Sequence, residues 1–142
     1  MTLGAASAPH YLGPYKQLTE APLFSTDKFG EIEDPFVYEQ DGTLHMIAKD
    51  MSGQTCGEKH GGIHAVSRDG LNWTLGTPLK AWSRSIVWDD GSTQVLGSFE
   101  RPYVLFQNGK PTHLLGAVAN GPGGFTRATE TWDMIIPLKT AP

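Results

Sequence analysis

Glu33-Asp34-Pro35-Phe36-Val37-Tyr38-Glu39-Gln40-Asp41-Gly42 and Glu100-Arg101-Pro102-Tyr103-Val104-Leu105-Phe106-Gln107-Asn108-Gly109 are two versions of one phrase. Glu33 stands over Glu100, Pro35 over Pro102 and Gly42 over Gly109, a period of 67 residues. The phrase continues as Leu44 to Ala48 in the first copy and as Thr112 to Val118 in the second. One extra residue in the second, Pro111 or its neighbour, brings His45 over His113. An internal repeat fixes architecture before any single residue is read. Each copy predicts a β-hairpin. Apolar runs rich in aromatic and β-branched residues suit strands, and Asp41-Gly42 and Asn108-Gly109 supply the positive φ of a tight turn.

Both faces of these strands are apolar, which predicts burial on both faces. Pro35 and Pro102 cannot donate a ladder hydrogen bond, so they belong at strand starts. The carboxylates before them then lie at the mouth of the sheet, where a ligand reaches them.

Working outward, Ile63 to Ser67 and Trp73 to Leu75 flank an Arg68-Asp69-Gly70 turn and make an outer hairpin. Ala5 to Tyr11 and Tyr15 to Leu18, around Gly13-Pro14, read as a further short hairpin. Trp132 to Leu138 reads as a last strand. Two segments, Asp50 to Gly62 and roughly Pro78 to Ser98, read as long polar loops. With 17 Gly and 10 Pro in 142 residues, and no run of helical apolar spacing, the chain is all-β. Inner and outer hairpins together make propeller blades. The chain counts out as the tail of one blade, a whole blade and most of another, a single partial β-propeller domain over residues 1–142.

A net charge of −4 with 11 Lys and Arg and no basic run argues against nucleic acid or an anionic membrane as partner. No apolar stretch approaches membrane-spanning length, and the N-terminus lacks the basic segment of a signal peptide. Cys56 is the only cysteine, so no internal disulfide forms.

Ile32-Glu33-Asp34-Pro35 before one hairpin and Phe99-Glu100-Arg101-Pro102 before the next resemble the five-bladed propeller glycoside hydrolases of family 43 and their relatives. His45 to Met51, His64 to Trp73 and Lys110 to Leu114 extend the resemblance across residues 10–138. It implies that Asp34 tunes the acid and that Glu100 is the general acid. Glu33, His45, His64 and Arg101 would touch substrate, and Trp82 and Trp88 would stack on sugar faces. No cofactor is implied, and the partner is an oligosaccharide.

The departure from that family is as informative. An inverting glycosidase needs a second carboxylate as base. The family carries it on the first blade, and only 33 residues precede Asp34 here. The chain therefore reads as about two and a half blades, the C-terminal half of a ring, not catalytic alone. Open strand edges must be covered, which predicts a homo-oligomer, most simply a dimer. A second copy would have Asp50, Glu58 or Asp69 to offer as base. A bare assembly module remains open beside these readings.

Each site residue also has a plainer role. Glu100 pairs with Arg101 to close a loop. Asp34 accepts backbone N–H groups. His45 and His113 are hydrogen-bonded strand residues. Cys56, Glu58, His60 and His64 have no structural zinc spacing, so no metal is expected. Trp73 belongs to the core.

Overall fold

The computed structural model describes residues 1–139, and the chain divides into two compact units, Met1–Ala81 and the part from Trp82 onward. The first opens with a minimal hairpin, β1 (Ala6–Ser7) and β2 (Lys16–Gln17), followed by a single helical turn, α1 (Thr26–Phe29). Four antiparallel strands in sequence order then form one sheet: β3 (Ile32–Gln40), β4 (Thr43–Asp50), β5 (Gly61–Ser67) and β6 (Trp73–Trp82). The second unit contains a two-stranded hairpin, β7 (Ser85–Val87) and β8 (Thr93–Val95). Its main sheet is three-stranded, with β10 (Lys110–Ala119) between β9 (Ser98–Gln107) and β11 (Thr131–Pro137). A short 3₁₀ turn at Gly124–Arg127 precedes β11. The chain is all-β, as its composition requires.

The two phrases fold alike down to the backbone. Asp41 and Gly42 have φ of 51° and 71°, and Asn108 and Gly109 have 52° and 74°. Both are hairpin turns of the mirror-image type, whose twist matches that of the strands they join. The extra residue of the second copy is Thr112. The β9–β10 register slips between Pro111 and His113, and Thr112 Oγ1 donates to the Leu105 carbonyl at 3.1 Å.

Two expectations about the strands are corrected. Pro35 and Pro102 do not start their strands, because β3 begins at Ile32 and β9 at Ser98. Each lies inside, in a β-bulge. Asp34-Pro35 together oppose Ala48, and Arg101-Pro102 together oppose Gly116. A bulge interrupts the ladder, so the missing N–H of proline removes no bond there. The inner strands are also not buried on both faces. Val37, Tyr103 and Leu105 are exposed by 44%, 50% and 43%. They lie on β3 and β9, strands at the borders of their sheets.

In the first unit Phe24, Ile32, Met46, Ala48, Ile63 and Ala65 form the core cluster, with Trp73 packed against it as expected. Strand side chains alternate between faces. The other face of the same sheet therefore carries Glu33, Tyr38, His45, Lys49 and His64. In the second unit Leu96, Phe99, Val104, Leu114, Val118 and Met134 are buried. Gly116 leaves room for Phe99, since a Cβ there would sit 2.3 Å from its ring.

Candidate functional site

The bulge decides how the acidic residues point. Asp34 and Arg101 occupy matched positions at φ of 52° and 49°. A non-glycine residue in the left-handed region is uncommon, and at these two positions it also falls just before a proline, which further restricts its backbone. Such strain persists only where surrounding structure enforces it, and it clusters at functional sites. The repeat thus aligns Glu33 with Glu100, and Asp34 with Arg101.

On the first unit Glu33 faces Lys49 across the ladder. Lys49 Nζ lies 2.5 Å from Glu33 Oε1 and 3.7 Å from Asp34 Oδ2. The Lys49 side chain is 2% exposed, against 12% for Glu33 and 25% for Asp34. Sequence reading missed Lys49, a buried cation that binds the two candidate carboxylates to one strand. In the second copy Ala117 takes the equivalent ladder position opposite Glu100.

Along the same face Tyr38 stacks on His45, with ring centroids 5.1 Å apart and planes within 8°. His45 and His64 are parallel within 2° and joined by a 3.0 Å contact from Nδ1 to Nε2. His64 Nδ1 reaches the Pro78 carbonyl on β6 at 3.1 Å. Burial pushes the His45 pKa down, His64 adds to that shift, and Asp41 opposes it.

On the second unit Ser98 Oγ donates to Glu100 Oε1. Arg101 is exposed at the bulge. His113 Nδ1 sits 3.0 Å from Thr112 Oγ1. The two tryptophans of the supposed loop differ in setting. Trp82 ends β6, is 6% exposed and packs on Phe99 with centroids 5.4 Å apart. Trp88 follows β7 and is 38% exposed, and its indole N–H donates to Gln94 at 3.2 Å. That bond fixes the ring beside a groove of about 480 Å³ lined by Val87, Asp89 and Ile135 to Pro137.

The loop with Cys56, Glu58 and His60 is organised by protein contacts. Cys56 Sγ donates to the Glu58 carbonyl, and Lys80 Nζ pairs with the Glu58 carboxylate at 3.0 Å. Asp50 supplies the framework, accepting from the amides of Gly53, Thr55 and Cys56 at 2.7–2.8 Å. Arg68-Asp69-Gly70 is a turn. The Asp69 carboxyl is held well below the usual range, chiefly by the Asn72 amide.

No family model and no curated protein sequence matches this chain. Its fold is similar to that of a solved structure named "Glycoside hydrolase", with a TM-score of 0.64 and 16% identity over 97% of this chain and 36% of the other. A second solved structure, named as a BT0996 RGII complex, matches with a TM-score of 0.64 and 16% identity over 96% of this chain and 35% of the other. The chain spans about a third of the length of each. The likeness shows a glycosidase-like all-β fold.

Proposed function

We propose that residues 1–142 are a half-propeller of the five-bladed, family 43-like glycosidase kind, which binds saccharide but turns it over little by itself. Glu100 acts as the general acid and Asp34 as the group that tunes it. Glu33, His45, His64 and Arg101 contact the sugar, with Trp88 as its stacking platform, while Trp82, buried against Phe99, is not available to it. The observation that carries this reading is the repeated bulge, strained in both copies and bearing a glutamate each time. The glycosidase-like fold supports it. Neither Asp34 nor Glu100 is the base in this reading. Acid or base assistance contributes roughly 10²–10⁴-fold per group, and an inverting mechanism needs both carboxylates.

The test is a panel of aryl arabinosides, xylosides and galactosides, with saccharide binding measured in parallel. We expect binding that weakens in Trp88→Ala, and turnover near background in wild type and Glu100→Gln alike. Turnover that vanishes in Glu100→Gln would instead favour an oligomer that supplies its own second carboxylate. Neither binding nor turnover would leave an assembly module.

Self-association is the second proposal. The exposed Val37, Tyr103 and Leu105, and Ile135 at 62% exposure, favour it. Among the described residues β11 has no partner on its outer edge, and it carries no lysine to discourage pairing. Light scattering at micromolar concentration should give a mass above 15.4 kDa, reduced by Ile135→Lys. A wild-type monomer at that concentration excludes the dimer.

A further inference from the structure

The histidine pair on the first unit has a consequence independent of any saccharide. A carbonyl oxygen only accepts, so the 3.1 Å contact to Pro78 O puts a proton on His64 Nδ1. Neutral His64 then has its lone pair on Nε2. The 3.0 Å contact to His45 Nδ1 is therefore donated by His45, whose own lone pair is at Nε2. The result is a one-way chain from β4 through β5 to β6. Gly76 makes it possible, because a Cβ there would lie 2.3 Å from His64 Nδ1.

We propose that His45 and His64 form a pH-sensitive lock across β4, β5 and β6, closed while the pair carries at most one extra proton and open when it carries two. The proton count decides this. A first proton from solvent has two places to go. On His45 Nε2 it leaves Nδ1–H donating to His64. On His64 Nε2 it makes His64 donate to His45 Nδ1, while the former Nδ1 proton of His45 is released and Nε2 takes one up. In both arrangements one N–H···N bond survives and becomes charge-assisted. A second proton leaves N–H facing N–H at 3.0 Å between two cations, so the rings part. His64 is then no longer held between β4 and Pro78, and β6 loosens near Gly76 to Pro78.

Tyr38 covers His45 from β3, Asp41 lies in the β3–β4 turn, and β6 offers the Pro78 carbonyl. Asp41 favours the charged His45, but burial and His64 outweigh it. The folded His45 value is lowered, so below about pH 6.5 this group holds its extra proton more readily in the unfolded chain than in the folded one. Stability is full above that pH and falls as pH drops through it.

The test compares wild type with His64→Gln by urea unfolding from pH 7.5 to 5. Glutamine can accept from His45 Nδ1–H and donate to Pro78 O, but it cannot charge. Each proton of difference lowers the folding constant about tenfold per pH unit. We expect a fall approaching that slope below pH 6.5 in wild type, and a clearly flatter curve in His64→Gln. Imidazole ¹⁵N spectra should show the His45 midpoint below 6.5 in wild type and moved upward in the variant. If His64→Gln does not fold, Gly76→Ala, which pushes the ring off Pro78, should flatten the curve in the same way. Superimposable pH curves, or a His45 midpoint unmoved by removing His64, overturn the lock. Saccharide binding enters neither readout, so failure of the glycosidase reading leaves this result intact.

Discussion

Lys49→Met should destabilise the first unit by about 3–5 kcal/mol, the usual cost of removing one partner from a buried ion pair. Methionine keeps most of the aliphatic stem, so the loss is not a cavity effect. What remains is Glu33 at 12% exposure, with Asp34 beside it, in a bulge shaped around the ammonium. Much of the cost is the desolvation of carboxylates left without their cation. The double variant Lys49→Met/Glu33→Gln should therefore recover part of the loss, giving a favourable coupling in a double-mutant cycle. Urea unfolding followed by fluorescence and by far-UV circular dichroism measures both. A loss below about 1 kcal/mol, the range of surface pairs, would mean that Lys49 reaches solvent and does not organise the acidic pair.

Lys49 also marks where the sequence stops being legible. The turns at Asp41-Gly42 and Asn108-Gly109 declare themselves, because left-handed backbone selects few residue types. From them the ladder can be counted outward. An unbroken ladder would set Asp34 opposite Lys49 and Glu33 opposite Asp50. The bulge moves Glu33 onto Lys49. A bulge is a count of two residues against one, and it depends on the partner strand, so nothing in Glu33-Asp34-Pro35 alone encodes it. The repeat did hold the signal. Asp34 and Arg101 differ in charge, yet they share one strained φ and a following proline. Shared backbone duty explains why the alignment pairs an acid with a base there.

The segment read as a long loop before Ser98 fails for another reason. Ile86-Val87 and Thr93-Gln94-Val95 around Asp90-Gly91 have hairpin character, but three-residue strands fall below the length at which alternation can be recognised. Trp82 lay beyond the expected end of its strand, yet β6 runs ten residues and carries it into the interior. His45 and His64 were legible as strand residues. Their partnership was not, because it is a diagonal contact between β4 and β5, set by register.

Asp50→Ala should produce the second large effect, a loss of about 3 kcal/mol together with disorder of residues 51–60. Asp50 is the last residue of β4 and is fully buried. Its Oδ1 accepts from Gly53 N at 2.7 Å and from Ser52 Oγ at 3.2 Å. Its Oδ2 accepts from the amides of Thr55 and Cys56, each at 2.8 Å. Hydrogen bonds to an ionised acceptor contribute roughly 1.5–3 kcal/mol apiece, and water replaces some of that in a half-exposed loop. Alanine leaves the amides of Gly53, Thr55 and Cys56 without that acceptor. Asp50→Asn keeps one oxygen, satisfies the Thr55–Cys56 side or the Gly53 side but not both, and should fall between wild type and alanine. Hydrogen exchange at Gly53, Thr55 and Cys56 reports the change directly, with protection lost at all three in Asp50→Ala and kept on one side only, Gly53 or Thr55 and Cys56, in Asp50→Asn. The same loop presents Glu58 to Lys80 on β6, so that ion pair should dissolve with it. Unchanged protection in Asp50→Ala would show that the loop is held instead by contacts such as Thr55 Oγ1 on Phe29 O and Gln54 Nε2 on Asp27 O, which tie it to the α1 turn.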